Sequence, residues 1–346
     1  MARAWSRCSR RSASRPPDPA IQRMTSTAAG GPAWFRDALA CTPERGTVQA
    51  EGATIETLAW GDPAKPGLFL LHGGAAHADW WSFIAPMFAD RYRVVAFSWS
   101  GMGRSDWREL YSIHGFAREA VAVAQATGLL DGPAPPIWMA HSFGGHPSLV
   151  AAVEMPEALS ALILIDTGGF PAPGVVENFV YSTRASPVFA TREEALARFR
   201  FVPPDRDAPA FVRDYVAERS IAEQGGDRPG WRWRFDFSMW SRLDREPDML
   251  ELLATADVPI AFILGGETQI MADDAADRIR ELRPRFTPIA TVPDAGHHVM
   301  IDHPLAFVAA VNGLLSAWPE KMAVGPGASP LSVAASGKYP DPIAAK

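Results

Sequence analysis

Ser142 stands in the run Pro136-Ile137-Trp138-Met139-Ala140-His141-Ser142-Phe143-Gly144-Gly145, an apolar stretch followed by a serine, two glycines and a helical pattern. A strand that turns this sharply into a helix strains its central residue and needs small neighbours, so the hydroxyl stands clear at the strand end. The amide of Phe143, at the start of the helix, points at the same spot. A hydroxyl and a backbone donor at one point suit nucleophilic attack on a carbonyl, although a serine before two glycines also suits a plain helix cap. Three other segments put glycines and polar residues at the ends of apolar runs: Leu70-Leu71-His72-Gly73-Gly74, Ser100-Gly101-Met102-Gly103-Arg104-Ser105-Asp106 and Pro293-Asp294-Ala295-Gly296-His297. The second is similar to a dinucleotide glycine pattern, but a third glycine is missing and no helix starts at once, so it reads as structural. His297, His298, Asp302 and His303 lack the helical spacing of a metal site, so no metal and no cofactor is expected.

The elements that must carry these residues are read from periodicity. Leu68–Leu71, Val94–Phe97, Ile137–Met139, Leu162–Ile165 and Ile260–Leu264 are short apolar runs bounded by Gly, Pro or polar residues, as for parallel strands buried on both faces. Between them Ser112–Leu129 reads as a helix, with Ile113, Phe116, Ala120, Val123 and Thr127 on one face behind a serine cap. His303–Trp318 reads as another, with Asp302 as cap, Pro304 in the first turn and Phe307, Val311, Leu314 and Trp318 as its stripe. Val48–Gly61 resembles a hairpin leading in. The alternation predicts an α/β fold with a mostly parallel, doubly wound sheet. Residues 170–255 break the rhythm: Pro and aromatic residues dominate, which predicts a largely helical cap inserted over the carboxyl edge of the sheet, where ligands bind in such folds.

Composition narrows the class. The chain has 346 residues, 47% hydrophobic and 21% charged, enough to bury a core. A net charge of −6 argues against a nucleic-acid partner. No stretch approaches the roughly eighteen apolar residues of a membrane span. Two cysteines, Cys8 and Cys41, without partner motifs exclude a disulfide framework and a Cys-based zinc site; a reduced, cytoplasmic setting is the expectation. The expected organisation is a flexible segment over 1–42, a core over 43–169 and 256–318 split by the cap at 170–255, and a flexible Pro/Gly/Ser/Ala-rich tail over 319–346. The Arg- and Ser-rich first 23 residues suit a transit peptide, or an overextended start with Met24 as the first residue.

Taken together, the four glycine-bearing segments resemble the α/β-hydrolase superfamily over roughly residues 46–318. Ala140-His141-Ser142-Phe143-Gly144 is similar to its G-x-S-x-G nucleophile elbow, with Ala140 in place of the first glycine. Leu71-His72-Gly73-Gly74 is similar to its oxyanion loop, though Ala75 replaces the last glycine of the longer form. The Gly101–Ser105 segment resembles its G-x-G-x-S loop, and Asp294-Ala295-Gly296-His297 its histidine loop. The resemblance implies that Ser142 is the nucleophile, His297 the general base and then acid, and the amides of Gly74 and Phe143 the oxyanion hole. His298 is the rival histidine; His297 directly follows Gly296, as the family pattern requires. The acid departs from the usual pattern, because Thr268 and Gln269 occupy the usual position after Ile260–Leu264. Some members carry it after the strand that follows the nucleophile helix, which here is Asp166; Glu267 is the alternative, and an Asp at a strand end also caps turns.

The pocket is expected among two aromatic groups, Trp80 and Trp81 past the oxyanion loop, and Trp231, Trp233 and Phe235 in the cap; the cap face also suits packing against the core. The expected enzyme is a serine hydrolase cleaving an ester or related acyl bond of a small apolar or aromatic substrate. A serine at the elbow argues against dehalogenases and epoxide hydrolases, which use aspartate there. A carbon–carbon bond hydrolase of ring-cleavage products, a lactone or thioester hydrolase, and a ligand-binding receptor of the same fold remain open. The sequence does not speak to the oligomeric state.

Overall fold

Burial on both faces is what makes the short apolar runs into strands. The computed structural model describes residues 30–132, 134–173, 186–204, 207–284 and 287–317. The chain enters through helix α1 (Ala33–Ala40) and a hairpin of β1 (Glu44–Ala50) and β2 (Ala53–Trp60). It continues into β3 (Gly67–Leu71), β4 (Arg93–Phe97), the two-residue β5 (Tyr111–Ser112) and α2 (Ile113–Ala126), where the Ser112 hydroxyl accepts the amide of Gly115 as a cap. Then come β6 (Ile137–His141), α3 (Gly145–Glu154) and β7 (Ala161–Ile165). The eight-stranded sheet is completed much later by β12 (Ile260–Gly265) and β13 (Ile289–Val292), in the order β1-β2-β4-β3-β6-β7-β12-β13. Strands β4 to β13 in that order run parallel, and the hairpin joins antiparallel at one edge.

Alternation along β3 shows why the run is apolar throughout: Phe69 and Leu71 pack into a core with α2 and α3, while Leu68 and Leu70 pack into a second core on the opposite face.

Between β7 and β12 the described residues hold β8 (Val188–Phe189), α4 (Arg192–Ala197), α5 (Ala210–Arg219), β9 (Ile221–Gln224), β10 (Gly230–Trp233), a 3₁₀ turn at Met239–Arg242, β11 (Leu243–Asp244) and α6 (Met249–Thr255). This insertion is thus helical but also carries a small antiparallel sheet, β8-β10-β9, and β11 pairs with β5 of the core. The chain closes with α7 (Ala275–Leu282), α8 (Val299–Asp302) and α9 (Pro304–Ala317).

Two expectations need correction. Residues 33–40 of the segment expected to be flexible form α1, because Phe35 and Ala38 are fully buried and the Phe35 ring packs on Phe83, Phe211 and Tyr215. Asp302 does not cap α9; it ends α8, and its carboxylate accepts the amide of Gly296 at 2.8 Å. Residues 1–29 and the tail from 318, with Trp318, lie outside the described residues.

Candidate active site

The turn after β6 is as tight as its residues suggest. Ser142 opens a 3₁₀ turn, Ser142–Gly144, that runs into α3, and its φ is +50°, a left-handed conformation a serine adopts only at a cost of about 1–2 kcal/mol. A side chain at Gly144 would put a Cβ 2.7 Å from the carbonyl oxygen of His72, so only glycine lets the turn close on the end of β3. Left-handed non-glycine residues gather here: besides Glu51, the ones described are Ala75, Ser142, Asp166 and Asp294, in the loops after β3, β6, β7 and β13 at the carboxyl rim of the sheet.

Three strand ends meet at this rim. The Ser142 hydroxyl lies 2.8 Å from Nε2 of His297, and Nδ1 of His297 lies 2.7 Å from Oδ2 of Asp166. Asp166 follows β7 and is fully buried, with φ +47°. Its carboxylate is held from β12: Oδ1 accepts the amide of Gly265 at 3.0 Å and Oδ2 the hydroxyl of Thr268 at 2.6 Å. A carboxylate can only accept, so Nδ1 of His297 carries the proton and Nε2 is left to accept from Ser142. Glu267, the alternative acid, is exposed on its loop, where its amide donates to the carbonyl of Ala295. Thr268 and the Gly265 amide were not legible as partners of Asp166, since they come from the end of a strand and the loop after it, about 100 residues away in sequence.

The histidine loop is braced from below. Nε2 of His141 lies 3.0 Å from the carbonyl oxygen of His297, to which it donates. Desolvation by burial, followed by the neighbouring His297, holds the pKa of His141 well below the usual histidine range. His298 is held low by the same two causes, in that order, and its Nε2 donates to the carbonyl of Pro203 in the insertion. His72 is likewise structural: Nε2 accepts the amide of Trp99 at 3.1 Å, Nδ1 donates to the Gly73 carbonyl at 2.7 Å, and burial depresses its pKa to about 3. Gly74 follows on the same loop and approaches Phe143, for a Cβ on Gly74 would lie 3.7 Å from the Cβ of Phe143.

Aromatic rings flank Ser142 on two sides. On one, the Trp240 ring stands edge-on to Phe143 at 5.3 Å and lies where a Gly74 side chain would be, 2.7 Å from the position of its Cβ. On the other, His298 contacts His297 at 5.0 Å, Trp80 at 5.3 Å and Phe201 at 5.4 Å between ring centres. Of the expected pocket residues, Trp80 is therefore beside His298, one ring away from His297. Trp81 is a core residue against Phe307. Trp231 and Trp233 pack on the insertion's own apolar cluster of Phe189, Ala195 and Ile221, and Phe235 packs on Phe237 and Trp240. The alternating aromatics of this segment both build the insertion and bind it to the core, since Phe235 belongs to the main core cluster and Trp233 and Phe237 pack on it; Trp240, just past them, is the ring that reaches the serine's neighbours.

Among the described residues one histidine grouping, His141, His297 and His298, offers three ligand atoms within 4.8 Å of one another. Donors around a tetrahedral ion would need to be about 3.4 Å apart. Both nitrogens of His297 already face Ser142 and Asp166, and Nε2 of each neighbour is engaged by a carbonyl. The arrangement fits packed neutral imidazoles around a working one better than a metal centre. Among the described residues, no helix is long and apolar enough to cross a membrane.

Comparison with known proteins gives the family and the fold. The model of the alpha/beta hydrolase family matches residues 68–311. An sn-1-specific diacylglycerol lipase of Mus musculus is 24% identical over 264 residues, 74% of this chain and 83% of that protein. A pimeloyl-[acyl-carrier protein] methyl ester esterase of Methylococcus capsulatus is 26% identical over 266 residues, covering 73% and 94% of the two chains. Among solved structures, an E-2-(acetamidomethylene)succinate hydrolase superposes with a TM-score of 0.67 at 19% identity, over 79% of this chain and 99% of that one.

Proposed function

Since the chain belongs to the alpha/beta hydrolase family, we propose that it is a serine hydrolase that cleaves carboxylic esters of small apolar or aromatic acyl groups through an acyl-enzyme on Ser142. The observation that carries this reading is the unbroken hydrogen-bond chain from the Ser142 hydroxyl through His297 to Asp166, at 2.8 and 2.7 Å. Nε2 of His297 takes the serine proton as Oγ attacks the ester carbonyl; Asp166 stabilises the imidazolium and fixes its tautomer. The tetrahedral oxygen gathers negative charge beside the amides of Gly74 and Phe143, which cost no reorganisation because their loops are already fixed. His297 then protonates the departing alkoxy oxygen. A water repeats the sequence in reverse, releasing the acid and restoring the serine.

The substrate class rests on the surroundings. Phe143 and Trp240 on one side, and Trp80, Phe201 and His298 on the other, are uncharged, since burial keeps His298 neutral. Rings of this kind favour an apolar guest and give an anionic phosphate no cation. The lipase and esterase relatives act on acyl esters, which is in keeping with this class. The test is direct: a fluorophosphonate should label Ser142 stoichiometrically, and Ser142→Ala should lower kcat on p-nitrophenyl esters by about 10⁶-fold without moving Tm. Turnover that survives Ser142→Ala, or a serine inert to the probe, overturns the assignment.

A further inference from the structure

We propose that Trp240 is the wall that limits how long an acyl chain Ser142 can accept, and that Asp236 is the positioning residue that fixes this wall. The inference rests on the ester-hydrolase reading above and adds which side of the substrate each aromatic group sorts. With the carbonyl oxygen directed at the amides of Gly74 and Phe143, the two remaining substituents must lie on opposite sides. The alkoxy oxygen has to reach Nε2 of His297 to be protonated, so the alcohol lies toward His298, Trp80 and Phe201. The acyl chain then lies toward Phe143 and Trp240. The Trp240 indole stands edge-on to Phe143 and is seated against Gly74.

The ring is bolted in place rather than hinged. It stands on the 3₁₀ turn Met239–Arg242, whose Met239 is fully buried. Asp236, 2% exposed, holds the base of the turn: Oδ1 accepts the amide of Ser238 at 3.1 Å and its hydroxyl at 2.7 Å, while Oδ2 accepts the Tyr111 hydroxyl at 3.0 Å and pairs with Arg242. Arg242 reaches back to the core, donating to the carbonyls of Arg108 at 2.7 Å and Glu109 at 2.6 Å. The amide of Asp236 donates to the Gly101 carbonyl at 2.8 Å. A buried carboxylate satisfied from four directions gives the indole one place to be, so it acts as a fixed stop.

Trp240→Ala and Trp240→Leu, the second keeping more of the packing, should be compared with the native enzyme on two ester series. Active sites are counted by fluorophosphonate titration, so that misfolded protein does not enter kcat. On p-nitrophenyl esters from acetate to decanoate, both variants should raise the octanoate-to-acetate ratio of kcat/KM by about tenfold or more, and Trp240→Phe should keep the native ratio. On acetate esters of alcohols of graded length the preference should stay as in the native protein. Asp236→Asn should blur the acyl cut-off in the same direction while Ser142 is still labelled, an effect that a general loss of stability would not produce. An unchanged acyl profile in both Trp240 variants, or a shift in the alcohol series instead, overturns the proposal. If the hydrolase reading itself is wrong, the native protein will neither be labelled nor turn over any member of either series.

Discussion

At the rim of the sheet the turns that carry Ser142 and Asp166 are fixed by their backbone. Asp166 and Ser142 sit at left-handed φ angles on turns that follow β7 and β6, and Asp166 is clamped by an amide of β12. The insertion is attached to the same core by short backbone links, the β11–β5 pairing and the Asp236 and Gly103 amides, and beyond these by side chains: Asp79 binds Arg45 of β1 and Arg219 at the end of α5, Nε2 of His77 meets the hydroxyl of Ser220 at 3.0 Å, and Asp236 joins Arg242 to Tyr111. A loop fixed by its own peptide groups tolerates little variation of place, whereas ion pairs and hydroxyls let a region be redrawn while the sheet stays as it is. Damage at the rim should therefore cost rate, and damage at the attachments should cost stability.

The largest effect expected under that division is at the acid. Asp166→Asn keeps the shape of the side chain but allows the wrong imidazole tautomer, so kcat should fall by about 10⁴-fold, or about 5 kcal/mol of barrier, with a small change in Tm. Glu267→Gln, one loop away and exposed, should alter kcat by less than about threefold. The pair of kinetic constants decides between the two acids; a large loss only at Glu267 would reverse the assignment.

This contrast also marks what could be read without coordinates. Ser142, His297 and Asp166 were legible because each follows an apolar run, and a parallel sheet brings such run-ends to a common edge. The clamp on Asp166 was not, because Gly265 ends another strand and Thr268 lies in the loop after it, and only the β7–β12 pairing brings them there. In the insertion, β8 has two residues and β9 and β10 four each, too short for alternation to rise above noise. Trp231 and Trp233 look like pocket residues by spacing; both pack on a cluster built from β8, α4 and β9, and Trp233 on the main core as well, partners that no local pattern announces. The helix α1 was obscured by its neighbourhood, since the Arg- and Ser-rich residues before it set the character of the whole segment.

A smaller effect is expected where insertion meets core. Asp79 is 3% exposed. Burial would raise its pKa, but the charge and hydrogen bond of Arg45, with Arg219 behind, hold the carboxyl well below the usual range. Asp79→Asn leaves both guanidinium groups without their shared partner and should cost about 3–5 kcal/mol by urea unfolding. The active sites that remain folded should keep native kcat on short esters. The exposed pair of Asp277 and Arg280 is the control: Asp277→Asn should stay within about 0.5 kcal/mol of native. Should Asp79→Asn leave stability intact and reduce kcat instead, the separation of rim from attachment would not hold.

Acid titration gives the smallest effect per residue and tests both regions at once. His72 and His141 lie beneath the rim, His298 packs between rim and insertion, and His77 is at an attachment; all four are buried. Desolvation by burial lowers the pKa of His72 and of His77 to about 3, and His141 and His298 also lie well below the ordinary value. The unfolded chain takes up a proton at each near pH 6.5, and the folded one does not until far lower pH. Their contribution is thus complete above about pH 6.5 and is lost as the pH falls from there toward 3, by at most about 1.4 kcal/mol per pH unit for each histidine. Asp79 adds to the loss only below about pH 5, where the unfolded carboxyl takes up a proton that the folded one refuses, so the fall above that pH belongs to the histidines. The native protein should show a steep fall in unfolding free energy between pH 6 and 4.5 by urea titration. His77→Gln, which can still reach the Ser220 hydroxyl, should flatten that fall by up to one histidine's share and leave kcat at pH 7.5 near native. An unchanged slope in His77→Gln would mean that the attachment histidine is solvated in the fold, and that acid sensitivity belongs to the rim alone.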